Sequence, residues 1–110
     1  MATITNNDLP RKPSHTTKEC DNMLREATAY IAEDSVEQAE IMIKTFDKVA
    51  EMLETLPELG TKYKYGIRKI GLGKFRRYNV YYRETETEIE ILGILHTSRG
   101  IEFADIYNPK

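Results

Sequence analysis

At Gly60 the hydrophobic repeat of this chain changes from a spacing of three and four residues to a spacing of two, so helices must be followed by strands. Before Gly60, Cys20, Met23, Leu24, Ala27, Tyr30 and Ile31 form one apolar stripe. Thr16 or Thr17 is placed to cap it, which predicts an amphipathic helix of about four turns. Asp34 and Ser35 interrupt that helix. Ser35, with Gln38 three residues on, reads as a capping box opening a second helix. The second stripe runs through Ala39, Met42, Ile43, Phe46, Val49, Ala50, Leu53 and Leu56, and Pro57 and Gly60 stop it.

After Gly60, Tyr63, Tyr65 and Ile67 alternate with Lys62, Lys64, Gly66 and Arg68, as in a strand. Gly71-Leu72-Gly73 reads as the hairpin turn that follows. Phe75 to Arg83 is rich in the β-formers Tyr and Val, Glu84-Thr85-Glu86-Thr87 is a polar turn, and Ile89 to His96 is a further strand. Its continuous tract Ile91-Leu92-Gly93-Ile94-Leu95 suits an interior strand buried on both faces. The fold class is therefore α+β: an N-terminal helical hairpin packed on a small, mainly antiparallel sheet. Residues 1–13 read as a flexible polar tail, with room for a short strand near Lys12 to Thr16, and residues 14–110 as a single domain. From Thr97 onward, Ile101, Phe103, Ile106 and Tyr107 fit either a fourth short strand or a helical turn.

Charge follows the same division. From Glu19 to Glu58 there are eleven carboxylates against Arg25, Lys44 and Lys48, a balance of −8. From Lys62 to Arg83 there are eight cations and no carboxylate, a balance of +8, interleaved with Tyr63, Tyr65, Phe75, Tyr78, Tyr81 and Tyr82. A formal net charge of −2 hides this polarity. The basic segment suits an anionic partner, either nucleic acid or an acidic protein.

Several classes drop out. No window approaches the roughly 18 apolar residues of a membrane span, and no secretory signal is visible. A cytoplasmic location is expected. Cys20 is the only cysteine, which excludes an internal disulfide and a multi-thiolate zinc site; a small core residue on a helix face is its simplest role. His15 and His96 do not stand at metal-ligand spacing, so no metal is expected, and no cofactor either. Gly66, Gly71 and Gly73 match neither nucleotide-binding fingerprint.

The series Tyr30-Ile31-Ala32-Glu33-Asp34-Ser35, Leu56-Pro57-Glu58-Leu59-Gly60, Phe75 through Arg83, Ile89-Glu90-Ile91-Leu92 and Leu95-His96-Thr97-Ser98-Arg99 occurs in one order and register. Together these motifs resemble the RelE/ParE superfamily of toxins from bacterial type II toxin–antitoxin modules. The helix-junction motif, the Leu-Pro-Glu-Leu-Gly stop and the His-x-x-Arg ending are closer to the ParE branch. The resemblance implies a role in plasmid stabilisation or growth arrest. Its cognate antitoxin would wrap the toxin in a hetero-oligomer with a segment that folds on binding. ParE-like members poison DNA gyrase, whereas RelE-like members cut messenger RNA on the ribosome. Gly100 stands where many relatives carry an acidic residue, which removes a partner for Arg99 and leaves an attenuated binding module as a third reading.

RNA cleavage through its own 2′-hydroxyl needs a base, an acid and cations on the phosphorane-like charge. His96 is the acid/base candidate, since a histidine titrates near neutrality, although a strand-end histidine bonded to backbone is the plain alternative. Arg68, Arg83 and Tyr82 complete the set for a ribonuclease. As a target- or phosphate-binding surface without catalysis, the candidates are Arg68, Arg76, Arg77, Arg83 and Arg99, because guanidinium forks suit phosphate and carboxylate. Arg76 and Arg77 point to opposite faces of a regular strand; Tyr78 and Tyr82 share a face with Val80, opposite Tyr81.

Overall fold

The computed structural model describes residues 11–107. Strand β1 (Ser14–Thr16) leads into helices α1 (Lys18–Asp34) and α2 (Val36–Thr55). A meander follows of β2 (Thr61–Lys62), β3 (Arg68–Leu72), β4 (Phe75–Glu84) and β5 (Ile89–His96), then a 3-10 turn (Thr97–Arg99) and α3 (Phe103–Ile106). The sheet order is β1-β5-β4-β3-β2, with every pairing antiparallel except β1 with β5. The helical hairpin thus carries the chain from one sheet edge to the other, and the meander walks back until β5 lies beside β1. Both anticipated caps form: Thr17 accepts a hydrogen bond from Cys20 N at 3.1 Å, and Ser35 one from Gln38 N at 3.1 Å.

Most of the expected 1–13 tail lies outside the described residues. Of its last three residues, Arg11 and Lys12 are tied to the end of α2, where Lys12 N donates to Glu54 O at 3.0 Å and Arg11 pairs with the Glu54 carboxylate, while Pro13 O accepts from Ile89 N of β5 at 2.9 Å. That carboxylate also accepts from Ser14 N at 2.9 Å, so it holds β1 in place as well.

Apolar side chains lie on both faces of the sheet. On the helix side, Met42, Phe46, Val49 and Leu53 of α2 and Cys20 and Ala27 of α1 meet Leu72, Tyr78, Val80, Tyr82, Ile89, Ile91 and Ile94. On the outer side a smaller cluster joins Ile67, Tyr81, Leu92, Leu95 and Phe103. β5 is buried on both faces because a cluster covers each side, and a bulge interrupts its alternation: Tyr81 pairs with Gly93 but Tyr82 pairs with Ile91, leaving Leu92 as an extra residue. Strict alternation would turn Ile91 and Ile94 to opposite faces; the bulge brings both to the helix side and turns Leu92 outward.

Two sequence expectations shift. The alternation from Lys62 to Arg68 is not one strand. Residues 63–67 form a tight turn, closed by Tyr63 N to Ile67 O at 2.8 Å and Ile67 N to Lys64 O at 3.0 Å. Tyr65 and Gly66 take left-handed φ values of 60° and 72°, and Gly66 supplies the freedom such a reversal needs. The following turn is Gly73-Lys74, not Gly71-Leu72-Gly73, because Leu72 is fully buried in β3 opposite Phe75. Beyond β5, the ambiguous C-terminal segment is a helical turn. Phe103 stacks on Tyr81 at a centroid distance of 4.3 Å, over Gly93, where a Cβ would lie 2.5 Å from the Phe103 ring.

Candidate functional site

Arg68 and Tyr82 stand opposite each other on β3 and β4, so their side chains share the helix side of the sheet. There they lock the end of the helical hairpin. The fully buried Tyr82 hydroxyl accepts from Gly60 N and donates to Pro57 O, both at 2.8 Å, while Arg68 Nη1 donates to Gly60 O at 2.8 Å. Burial pushes the Tyr82 phenol above its ordinary value, so it remains protonated and serves as a strut. The Leu-Pro-Glu-Leu-Gly segment is thus held at its carbonyl and amide groups.

Arg83, one residue on, faces the other side. Its Nε donates to the Glu90 carboxylate at 2.7 Å across the β4–β5 pair, and that bond raises the guanidinium pKa further. Glu90 also lies 3.7 Å from His15, which contacts Glu88 at 2.9 Å, giving a charged row over β1, β5 and β4. Arg68 and Arg83 therefore sit on adjacent strands, as expected, but on opposite faces.

His96 ends β5 opposite Tyr78, four residues along β4 from Tyr82, which is about 13 Å of strand. Its Nδ1 accepts from Ser98 N at 3.1 Å and lies 2.7 Å from Ser98 Oγ. In the arrangement that makes this bond Nδ1 is the bare nitrogen, and the ring caps the 3-10 turn, with Tyr78 edge-on at 4.8 Å. Gly100 closes that turn at φ 70°, ψ 15°, a left-handed position where glycine is free of strain. Arg99 belongs to the turn by its backbone.

Beside His96 opens a groove of about 430 Å³, lined by Met23, Glu26, Ala27, Tyr30, Tyr78, Ile94, His96 and Ser98. Tyr30 belongs to this groove and not to the core: it is 66% exposed on the flank of the α1 stripe. Glu26 and Tyr30, four residues apart on that flank, were the signal available in the sequence.

The remaining candidate cations are solvent-facing. Arg76 and Arg77 are exposed at the start of β4, beside the exposed Lys74. β5 reaches only as far as Tyr78, so residues 75–77 extend past it. On the outer face, Tyr63 accepts from Ala104 N at 2.9 Å and contacts Glu102 at 2.6 Å. Desolvation chiefly, with Glu102 beside it, raises that phenol to about 12. Cys20 is buried and its thiol is pushed up to about 12 by desolvation, which makes it an inert packing residue. Among the described residues no group of three or more His, Cys, Asp and Glu side chains is placed to hold a metal ion, and no helix is long and apolar enough to cross a membrane.

Residues 16–101 match the family described as the ParE toxin of the type II toxin–antitoxin system, parDE. The chain belongs to the ParE toxin family. Its match runs from β1 to the residue after Gly100, so α3 lies just beyond it. Among solved structures the chain is similar to one described as the chromosomal ParDE TA system from P. aeruginosa, with a TM-score of 0.68 and 17% identity, over 80% of this chain and 98% of that one. At that identity the likeness bears on the fold alone, which in this chain is helices packed on a mixed five-stranded sheet. No curated protein sequence matches it significantly.

Proposed function

We propose that this ParE-family toxin arrests growth by binding DNA gyrase and stalling it with its DNA cleaved, without catalysing a reaction of its own, and that a cognate antitoxin neutralises it. The observation that carries the non-catalytic reading is the dispersal of the groups a ribonuclease would need. Tyr82 and Arg68 serve the Pro57–Gly60 lock, Arg83 faces the other side of the sheet against Glu90, and His96 caps a turn. General acid–base catalysis requires such groups within hydrogen-bond reach of one reacting centre.

A binding poison needs no such convergence, only a complementary surface. The exposed Arg76 and Arg77 beside Lys74 are cations available to meet a target, and Arg99 follows just past the end of β5. The antitoxin reading is supported by the family and by the P. aeruginosa structure, which is described as a ParDE toxin–antitoxin system. The groove between α1 and the end of β5, lined by both apolar and polar side chains, suits part of such a partner.

Plasmid supercoiling by purified gyrase, with this protein titrated in, tests the reading. The expected result is loss of supercoiling with accumulation of cleaved DNA, weakened in Arg76→Ala/Arg77→Ala. Normal supercoiling at high excess, with transcripts cut on ribosomes, would replace it with the ribonuclease reading.

A further inference from the structure

We propose that the turn between β2 and β3 is a single-stranded nucleic-acid contact, in which Tyr65 stacks on an unpaired base while Lys62 and Lys64 take the flanking phosphates. The inference goes beyond the gyrase reading and does not rest on it.

Among the described residues Tyr65 is the only non-glycine at positive φ, at 60°. An L residue larger than glycine, asparagine or aspartate is strained there, and strain of this kind gathers at functional positions. Packing does not repay it. Tyr65 is 63% exposed, and its side chain makes no hydrogen bond, ring contact or ion pair with any described residue. A glycine would hold the same backbone at no cost, so what the tyrosine adds is an outward-facing ring.

The base beneath that ring is rigid. One leg of the turn is anchored by Tyr63, whose hydroxyl is bonded to Ala104 N and Glu102 and whose ring meets Tyr81 at 5.2 Å. The other leg is anchored by Ile67, which is 1% exposed, and by Arg68 on Gly60 O. Tyr65 is therefore presented with little ordering left to be done on binding. Around it the charge is positive: Lys62 and Lys64 are exposed and in no salt bridge among the described residues, and Lys69 sits 5.6 Å from the Tyr63 ring centroid. Glu102 is engaged by the Tyr63 hydroxyl.

An exposed aromatic face between cations is how proteins hold single strands, where each base offers a π-face and each nucleotide a phosphate. Duplex DNA, with its bases stacked on one another, has no use for the ring. An acidic peptide would use the lysines and ignore the tyrosine.

Fluorescence anisotropy of the full chain with a labelled oligonucleotide, single-stranded and then annealed to its complement, tests the proposal at low salt. The single strand is expected to bind more tightly than the duplex. Tyr65→Gly should weaken single-strand binding between about five- and 160-fold with no loss of melting temperature, and Tyr65→Phe should keep it. Lys62→Ala/Lys64→Ala should lower the slope of log affinity against log salt by about 1.4, from roughly 0.7 per phosphate contact on a single strand. Equal affinity for both forms, or an unchanged Tyr65→Gly, would overturn the proposal. Displacement by polyglutamate that is insensitive to Tyr65 would reassign the turn to an acidic protein.

Discussion

Replacing Tyr82 by phenylalanine keeps the ring and removes the one hydroxyl that holds Gly60 N and Pro57 O together, each at 2.8 Å. The ring is fully buried among Leu53, Ile91 and their neighbours, so no cavity larger than an oxygen atom is left. What is lost is polar. Gly60 is buried and its amide is left without an acceptor, at about 1–3 kcal/mol; the Pro57 carbonyl is half-buried and recovers part of its bond from water. A total of about 2–3 kcal/mol follows. The unfolding entropy of a 110-residue chain is about 0.23 kcal/mol/K, so the melting temperature should fall by about 9–13 °C. Calorimetry or circular dichroism would measure it. Because Arg68 bonds the same residue through Gly60 O, the Arg68→Ala and Tyr82→Phe effects should not add. At a temperature where the variant is folded, growth arrest should persist. A melting temperature within about 3 °C of the parent would refute the lock, and loss of arrest at unchanged stability would return Tyr82 to the chemistry.

Gly93→Ala should cost about 1–3 kcal/mol, since its Cβ would lie 2.5 Å from the Phe103 ring and 2.8 Å from Met23 Sδ. The ring must then lift off Tyr81, and earlier proteolysis within α3 would report it. His96→Asn places an amide oxygen where Nδ1 accepts from Ser98 N, so stability and growth arrest should both survive; loss of arrest in the folded variant would assign chemistry to the imidazole. Glu54 is held below its ordinary value, chiefly by the bond from Arg11, with Ser14 adding to it. Because the folded pKa is depressed, this stabilisation is present above the unfolded value near pH 4.3 and is lost as pH falls through the lower folded pKa. Thermal melts should therefore lose stability less steeply in Glu54→Gln as pH falls below about 4.3; an unchanged profile would remove Glu54 as the anchor of β1.

The helices were legible because their information is local. Thr17 and Ser35 cap with their own side chains the amides three residues ahead, and a stripe such as Met42-Phe46-Val49-Leu53 needs no knowledge of what it will face. The same holds for the facing of Tyr78, Val80 and Tyr82 against Tyr81, which follows from alternation in an unbroken strand. Where a distant partner decides, local reading stops. The apparent strand from Lys62 to Arg68 is a turn because Tyr65 and Gly66 take left-handed φ and Tyr63 N bonds back to Ile67 O; Tyr63 and Ile67 reach the outer cluster on one side, as they also would in a regular strand, so the period of two does not distinguish the two conformations.

The sequence alone determined the order of elements, the acidic helices against the basic strands, and the family through motifs in register. Tertiary structure alone decided the site. Arg68 and Arg83 are equally good guanidinium candidates in the sequence, yet they face opposite sides, because one pairs with Tyr82 at the Gly60 lock and the other with Glu90 across β5. Likewise the exposure of Tyr30 and the strained display of Tyr65 depend on what packs beside them. Periodicity records which way a side chain points from its own element; only the packed chain settles what it then meets.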